Sequence, residues 1–266
     1  MMVLEYSLRK HATIPVELVW MRLSRDPASF WYSGAGKGWT TERWATPFSA
    51  FRWGIPAYCG FQGRAFYTDA DVLFLCDIAE IWHHPMEKGK AMLAAGSNKD
   101  LRLGELLWDC SAAARFLPPI EELHRDPDGH KKIQRFFEAH PEYIEPLAAE
   151  YSNLDGDDLP LSSLKTLHYS DMGSQFTHRF SLPRLASENK KHWFDGKIYN
   201  HYRQDLRELF EQYYYEALEA GYLLENYRNQ TLFGHFNKQS QVVYDGNPIT
   251  RKKKSMLRSL FGKIRG

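Results

Sequence analysis

Residues Arg64-Ala65-Phe66-Tyr67-Thr68-Asp69-Ala70-Asp71-Val72-Leu73-Phe74-Leu75 decide the reading of this chain. The apolar run Arg64 to Tyr67 predicts a short strand, Val72 to Leu75 predicts another, and an acidic pair separates them. Side chains at i and i+2 of a strand point to one side. Asp69 and Asp71 are therefore expected to face a common point where the first strand runs out, at a sheet edge. Two carboxylates at one point form a hard oxygen site suited to Mg²⁺ or Mn²⁺, ions that complete their shells with substrate phosphates. The same spacing recurs by chance in soluble proteins, so the apolar flanks give the pair its weight.

Outward from the pair, Asp77 to Trp82 reads as a capped helical turn, and Ala91 to Ala95 and Leu103 to Asp109 read as strands. Upstream, Phe48 to Ile55 predicts a helix ending near Pro56. The Gly-rich stretch Ser33 to Gly38 predicts a loop, without the GxGxxG or GxxxxGK[ST] spacing of a phosphate cradle. Val16 to Leu23 alternates apolar and polar residues, which predicts a strand. Val3 to His11 has Val3, Leu4 and Leu8 at helical spacing, and Thr13-Ile14-Pro15 ends that helix.

Downstream, Leu117-Pro118-Pro119 breaks the chain before polar helical segments that run to about Glu150. Leu164 to Tyr169 is a strand candidate. Asp205 to Ala220 predicts a helix with Leu206, Leu209, Phe210, Tyr213, Tyr214 and Leu218 on one face. Strands alternating with helices, without internal repeats, indicate an α/β fold.

The 266 residues suffice for one sizeable α/β domain with a helical appendage. Cys59, Cys76 and Cys110 lie far apart without a CxxC spacing, which excludes a zinc knuckle or a disulfide framework and fits buried thiols in a reducing cytosol. Met1 to Val16 carries Arg9, Lys10 and His11 in place of a long apolar run, so no secretory signal is read there. No stretch approaches the roughly 18 apolar residues of a spanning helix.

Charge is unevenly placed. Residues 251–266 hold seven Lys/Arg and no acid, leaving 27 basic against 33 acidic residues, a net of −6, over the rest. An acidic body with a basic tail excludes a nucleic-acid-binding domain.

Six stretches carry a resemblance: Phe48-Ser49-Ala50-Phe51-Arg52-Trp53-Gly54-Ile55-Pro56; the block Gly60 to Leu73 with its Tyr67-Thr68-Asp69-Ala70-Asp71; Asp77-Ile78-Ala79-Glu80-Ile81-Trp82; Leu107-Trp108-Asp109-Cys110; Asn153-Leu154-Asp155; and Leu167-His168-Tyr169-Ser170. In this order, over roughly residues 3 to 195, they resemble bacterial relatives of glycosyltransferase family 8. The resemblance implies a GT-A-like, Rossmann-like mixed sheet flanked by helices, a nucleotide-sugar donor, and a divalent cation, Mn²⁺ or Mg²⁺.

It places Asp69, Ala70 and Asp71 against the donor diphosphate, with His168 as the third protein ligand of the metal. Imidazole is an acceptable partner to carboxylates there. Arg52 matches the family's helix arginine, which approaches the donor phosphates or the site carboxylates; read alone it is equally a surface ion pair. Asp155 is the catalytic candidate, a carboxylate near the sugar or the acceptor hydroxyl, although Asp155-Gly156-Asp157-Asp158 reads just as well as a turn. Family behaviour implies retention of anomeric configuration. The family opens with a base-binding strand and loop, and this sequence begins inside the helix that follows them.

The domain reading is a GT-A-like unit over 1–195, N-terminally incomplete, a helical extension over 196–250 and a basic tail over 251–266. In the tail, Met256, Leu257, Leu260, Phe261 and Ile264 share one helical face behind Arg251-Lys252-Lys253-Lys254. That is the composition of a helix on an anionic membrane surface, or of a solubilising tail. The expectation is a cytoplasmic enzyme, peripheral at the inner face of the membrane, acting on a glycan or lipid-linked acceptor. A glycan- or partner-binding relative without activity is the alternative. A haloacid-dehalogenase-like phosphatase fits poorly, because Val72-Leu73-Phe74 follows the pair where Gly or Thr is usual.

Overall fold

The structure, a computed structural model, describes residues 1–34, 36–40, 48–170, 174, 197–227 and 243–248. Helix α1 (Met2–His11) buries Met2, Val3, Leu4, Ser7 and Leu8, the stripe that its apolar spacing predicts. Residues 33–34 and 37–38 pair as a two-residue antiparallel ribbon, β1 and β2, within the expected loop. Helix α2 (Phe51–Tyr58) runs past the expected end at Pro56, because that proline stands in the last turn and the Cys59 N–H still reaches the Ile55 carbonyl.

Strands β3 (Arg64–Thr68) and β4 (Val72–Phe74), helix α3 (Ala79–Trp82), and strands β5 (Met92–Ala95) and β6 (Glu105–Asp109) fall where the sequence predicts them. The Asp77 carboxylate accepts from Ala79 N at 2.9 Å, the expected cap of α3. Helices α4 (Cys110–Ala113), α5 (Ile120–Arg125) and α6 (Gly129–Ala139) follow. Strand β7 (Ile144–Leu147) interrupts the stretch expected to be helical. Strands β8 (Asn153–Leu154), β9 (Thr166–His168) and β10 (Lys197–Asn200), helix α7 (Gln204–Glu219) and strand β11 (Val243–Pro248) complete the order.

Two mixed sheets meet at the acidic pair. One is four-stranded in the order β3-β6-β5-β7, antiparallel except for β5 and β7; the other is three-stranded in the order β4-β9-β8, with β8 and β9 parallel. The fold is thus α/β with mixed sheets flanked by helices. Both faces of the larger sheet are covered, and the two-residue period sorts its side chains. Met92, Ala94, Leu106 and Trp108 join one apolar cluster with Trp53 and Phe137. Leu93, Ala95 and Leu107 join another with Leu4, Leu8, Phe74 and Ile81. Edge strand β4 has its Phe74 N–H taken up by Ser7 Oγ at 3.0 Å, which docks α1 on that edge.

Two expectations need correction. Residues 16–23 keep the predicted alternation, half-buried at Val16, Leu18 and Trp20 and exposed at Glu17 and Val19, but among the described residues no strand pairs with them. Alternation selects a face; a ladder needs a partner. Helix α7 buries Leu206, Phe210, Tyr213, Tyr214 and Ala217, while Leu218 is 37% exposed, so its inward face is turned slightly from the predicted one. The thiols of Cys76 and Cys110 are buried, whereas Cys59 is only half-buried.

Helix α7 and α1 are joined by Lys10 Nζ to Glu216 at 2.7 Å and by His11 Nε2 with Tyr213 Oη at 2.8 Å. Among the described residues no helix is long and apolar enough to cross a membrane. The basic tail, 251–266, lies outside the described residues.

Candidate active site between the two sheets

Asp69-Ala70-Asp71 is the link between β3 and β4, a turn in place of a continued strand. The carboxylates converge for a different reason than strand alternation. The ladder of β3 with β6 ends at Thr68 opposite Glu105 and is prolonged by Asp69 N donating to the Gly104 carbonyl at 2.8 Å. On the other side Val72 pairs with His168 in β9, and Tyr169 N donates to the Asp71 carbonyl at 2.9 Å. His168 Nε2 thus lies 3.2 Å from Asp71 Oδ1 and 3.9 Å from Asp69 Oδ2.

The two oxygens of Asp69 are divided. Tyr67 Oη donates to Oδ1, and Arg52 Nη2 stands 3.4 Å from the same atom, leaving Oδ2 toward His168. Arg52 is held from α2: its Nε donates to the Ser49 carbonyl at 3.1 Å, its Nη1 to the Leu103 carbonyl, and its guanidinium lies 4.9 Å from the Tyr67 ring centroid. With its side chain 11% exposed, Arg52 is a partner of a site carboxylate and no surface ion pair. Burial, partly offset by Arg52, pushes the Tyr67 hydroxyl well above its ordinary range, so it stays a donor to Asp69.

Electrostatics bind the cluster. Burial alone would lower the His168 pKa, but its hydrogen bond to Asp71 and the charges of Asp71, Glu105 and Asp69 raise it to about 9. Glu105, fully buried at the head of β6, is raised to about 7 by burial, against the pull of His168 and Ser152. The Met1 ammonium donates to the Ala70 carbonyl at 2.9 Å, and burial, opposed by Asp71, lowers it to about 6.

Asp155 is fully buried. Its Oδ1 accepts from Ser170 Oγ at 2.7 Å, its Oδ2 accepts from Ser174 Oγ, and its N–H donates to the His168 carbonyl at 3.1 Å. The turn that follows is made by Asp157, whose Oδ2 accepts from Leu154 N at 2.9 Å and from Arg102 Nη1 at 2.5 Å.

The arrangement therefore brings together Arg52, Asp69, Ala70, Asp71 and His168, with Asp155 one backbone hydrogen bond behind. Sequence reasoning passed over Glu105 and the Tyr67 hydroxyl. Glu105 carried a signal, since a carboxylate opening the apolar run Leu106-Leu107-Trp108 is rarely buried without a partner.

The donor chemistry fits a divalent ion. Two carboxylates and an imidazole are donor types that such an ion accepts, and His168 Nε2 stands 3.2 Å from Asp71 and 3.9 Å from Asp69. As they stand, His168 and Asp71 are hydrogen-bonded to each other instead of splayed about one point. Among the described residues no group of three or more His, Cys, Asp or Glu is arranged to hold a metal ion.

No family model matches the chain, and no curated protein sequence matches it. Among solved structures it is similar to apo mouse xyloside xylosyltransferase 1, at 11% identity and a TM-score of 0.32, over 47% of this chain and 66% of that one. It is similar to galactosyltransferase LgtC in complex with donor and acceptor sugar analogues, at 11% identity and a TM-score of 0.38, over 57% and 70% of the two chains. A third is the apo glycosyltransferase GlyE of Streptococcus pneumoniae, at 16% identity and a TM-score of 0.37, over 58% and 51%. The match thus spans just under two thirds of the first structure's length and about half of the third's. With every TM-score below 0.5, these likenesses show neither a shared fold nor a shared chemistry.

Proposed function

We propose that this chain is a glycosyltransferase that moves a sugar from a nucleotide-sugar donor to a glycan or lipid-linked acceptor, with Mn²⁺ or Mg²⁺ held by Asp69, Asp71 and His168. The observation that carries the reading is the convergence of Arg52, Asp69, Asp71 and His168 at the junction of the two sheets. These are the residues that the resemblance to family 8 singles out, and they come from three separate segments. The cation, when bound, supplies positive charge against a departing nucleoside diphosphate.

The protein's own residues do the rest. Arg52, anchored on two carbonyls, presents a planar fork to phosphate oxygens. Tyr67 fixes the orientation of Asp69 through its hydroxyl, and His168 gives up its proton to become a neutral ligand. Asp155, an internal carboxylate backed by two serines, is the proposed charge behind the reacting sugar, in a transfer that retains configuration. Anchoring of the tail 251–266 at an anionic membrane is part of the same reading.

Calorimetric titration with Mn²⁺ and then with a panel of nucleotide sugars tests it. The expected result is Mn²⁺-dependent donor binding that Asp69→Asn and Asp71→Asn each abolish; binding of no donor in the presence of Mn²⁺ would overturn it. One observation favours a second reading, a binding relative without activity. The His168–Asp71 hydrogen bond already satisfies the pair without a metal, and that reading expects glycan binding indifferent to Mn²⁺.

A further inference from the structure

Beside the Nδ1 edge of His168 stands the head of β6. The Nδ1 edge of the imidazole lies 3.9 Å from Glu105 Oε1. Among the described residues that oxygen is buried without a hydrogen-bond partner, while Oε2 is held by Ser152 Oγ at 2.5 Å. A buried carboxylate oxygen without a partner costs free energy, so its position calls for a cause. The neighbouring residue supplies a second, independent constraint. A Cβ on Gly104 would stand 2.7 Å from His168 Nδ1, 3.0 Å from Cε1 and 3.4 Å from Asp69 Oδ2. No side chain but hydrogen leaves the ring where it is.

We propose that Gly104 and Glu105 form the positioning wall for His168. Gly104 leaves room for the ring beside the backbone, and Glu105 accepts a hydrogen bond from Nδ1–H, so that Nε2 is the nitrogen turned to Asp69 and Asp71. Glu105 is a positioning residue and touches no substrate. The 3.9 Å gap is about 1 Å longer than a hydrogen bond. Closing it takes a ring shift of about 1 Å toward Glu105. A carboxylate behind a ligating imidazole fixes the tautomer and strengthens the ligand, and its loss costs about 10- to 100-fold in metal affinity. The inference rests on the metal reading above.

The experiment titrates the full chain with Mn²⁺ alone, following free Mn²⁺ by electron paramagnetic resonance. Pulsed measurements of the bound ion report nitrogen coupling from His168. Wild type is expected to bind with nitrogen coupling. Glu105→Leu and Gly104→Ala lose about 10- to 100-fold in affinity and most of the coupling, whereas Glu105→Gln, which keeps the shape and an acceptor oxygen, recovers part of both.

Circular dichroism and urea midpoints separate folding from positioning. Should Glu105→Leu fail to fold, Gly104→Ala and Glu105→Gln carry the comparison. Nitrogen-coupled binding by wild type with unchanged affinity in the folded variants overturns the wall and leaves the metal reading standing. Absence of Mn²⁺ binding by wild type overturns both.

Discussion

His168 and Asp71 face each other across 3.2 Å because Val72, the residue after Asp71, is the strand partner of His168. Backbone pairing of β4 with β9 thus sets the distance between two side chains that are remote in sequence. The imidazole is largely withdrawn from water at 14% exposure, whereas the Asp71 side chain is 39% exposed. The pH dependence of the pair follows directly.

The folded His168 titrates at about 9 against an ordinary 6.5. A raised folded pKa means that the fold binds this proton more tightly than the unfolded chain does. The stabilisation is therefore complete below pH 6.5 and lost as pH rises through 9. Urea midpoints of the metal-free protein are expected to fall across that window, and His168→Gln to flatten the decline. An identical slope in the variant would count against the pair.

Arg52→Ala is expected to weaken donor binding by tenfold or more, since a hydrogen bond to a charged group contributes about 1.5–3 kcal/mol. Arg52→Lys should not restore it. The single nitrogen of an ammonium cannot stand where Nε, Nη1 and Nη2 separately reach the carbonyls of Ser49 and Leu103 and the Asp69 carboxylate. Calorimetry with Mn²⁺ and the preferred nucleotide sugar checks both variants, and full recovery by lysine would refute the fork.

Leu107 is wholly buried in the central strand β6, whereas Leu218 is 37% exposed on α7. Leu107→Ala is expected to cost about 2–5 kcal/mol of stability, and Leu218→Ala to stay within about 0.5 kcal/mol. Equilibrium urea unfolding measures both. A large loss at Leu218 would mean that the α7 face is turned as its sequence first suggests.

Deleting residues 251–266 is expected to release the protein from anionic liposomes while leaving its urea midpoint unchanged. Each Lys or Arg near such a surface contributes about 1 kcal/mol. Cosedimentation with vesicles rich in phosphatidylserine reads the result, and equal binding by the shortened chain would exclude tail anchoring.

The readable part of this fold is local. The strands around Asp69 and Asp71, the cap at Asp77 and the buried stripes of α1 and α7 each depend on residues within a few positions of one another. The stretch 16–23 shows where such reading stops: its alternation survives as alternating burial, yet no described strand lies beside it. β7 went unread because Ile144-Glu145-Pro146-Leu147 carries little pattern of its own; it is a strand through its pairing with β5.

The same division runs through the site. The sequence by itself determined the acidic pair, whose residue type and spacing suggest a chemistry, while Arg52 and His168 stood out only through the resemblance to glycosyltransferase family 8. Only the tertiary structure decided that the pair sits in a turn between two sheets, that Tyr67 and Arg52 share one oxygen of Asp69, and that Gly104 and Glu105 lie beside His168. Those relations join segments distant in the chain. The register of β3 on β6 and of β4 on β9 brings them together, and no local pattern encodes it.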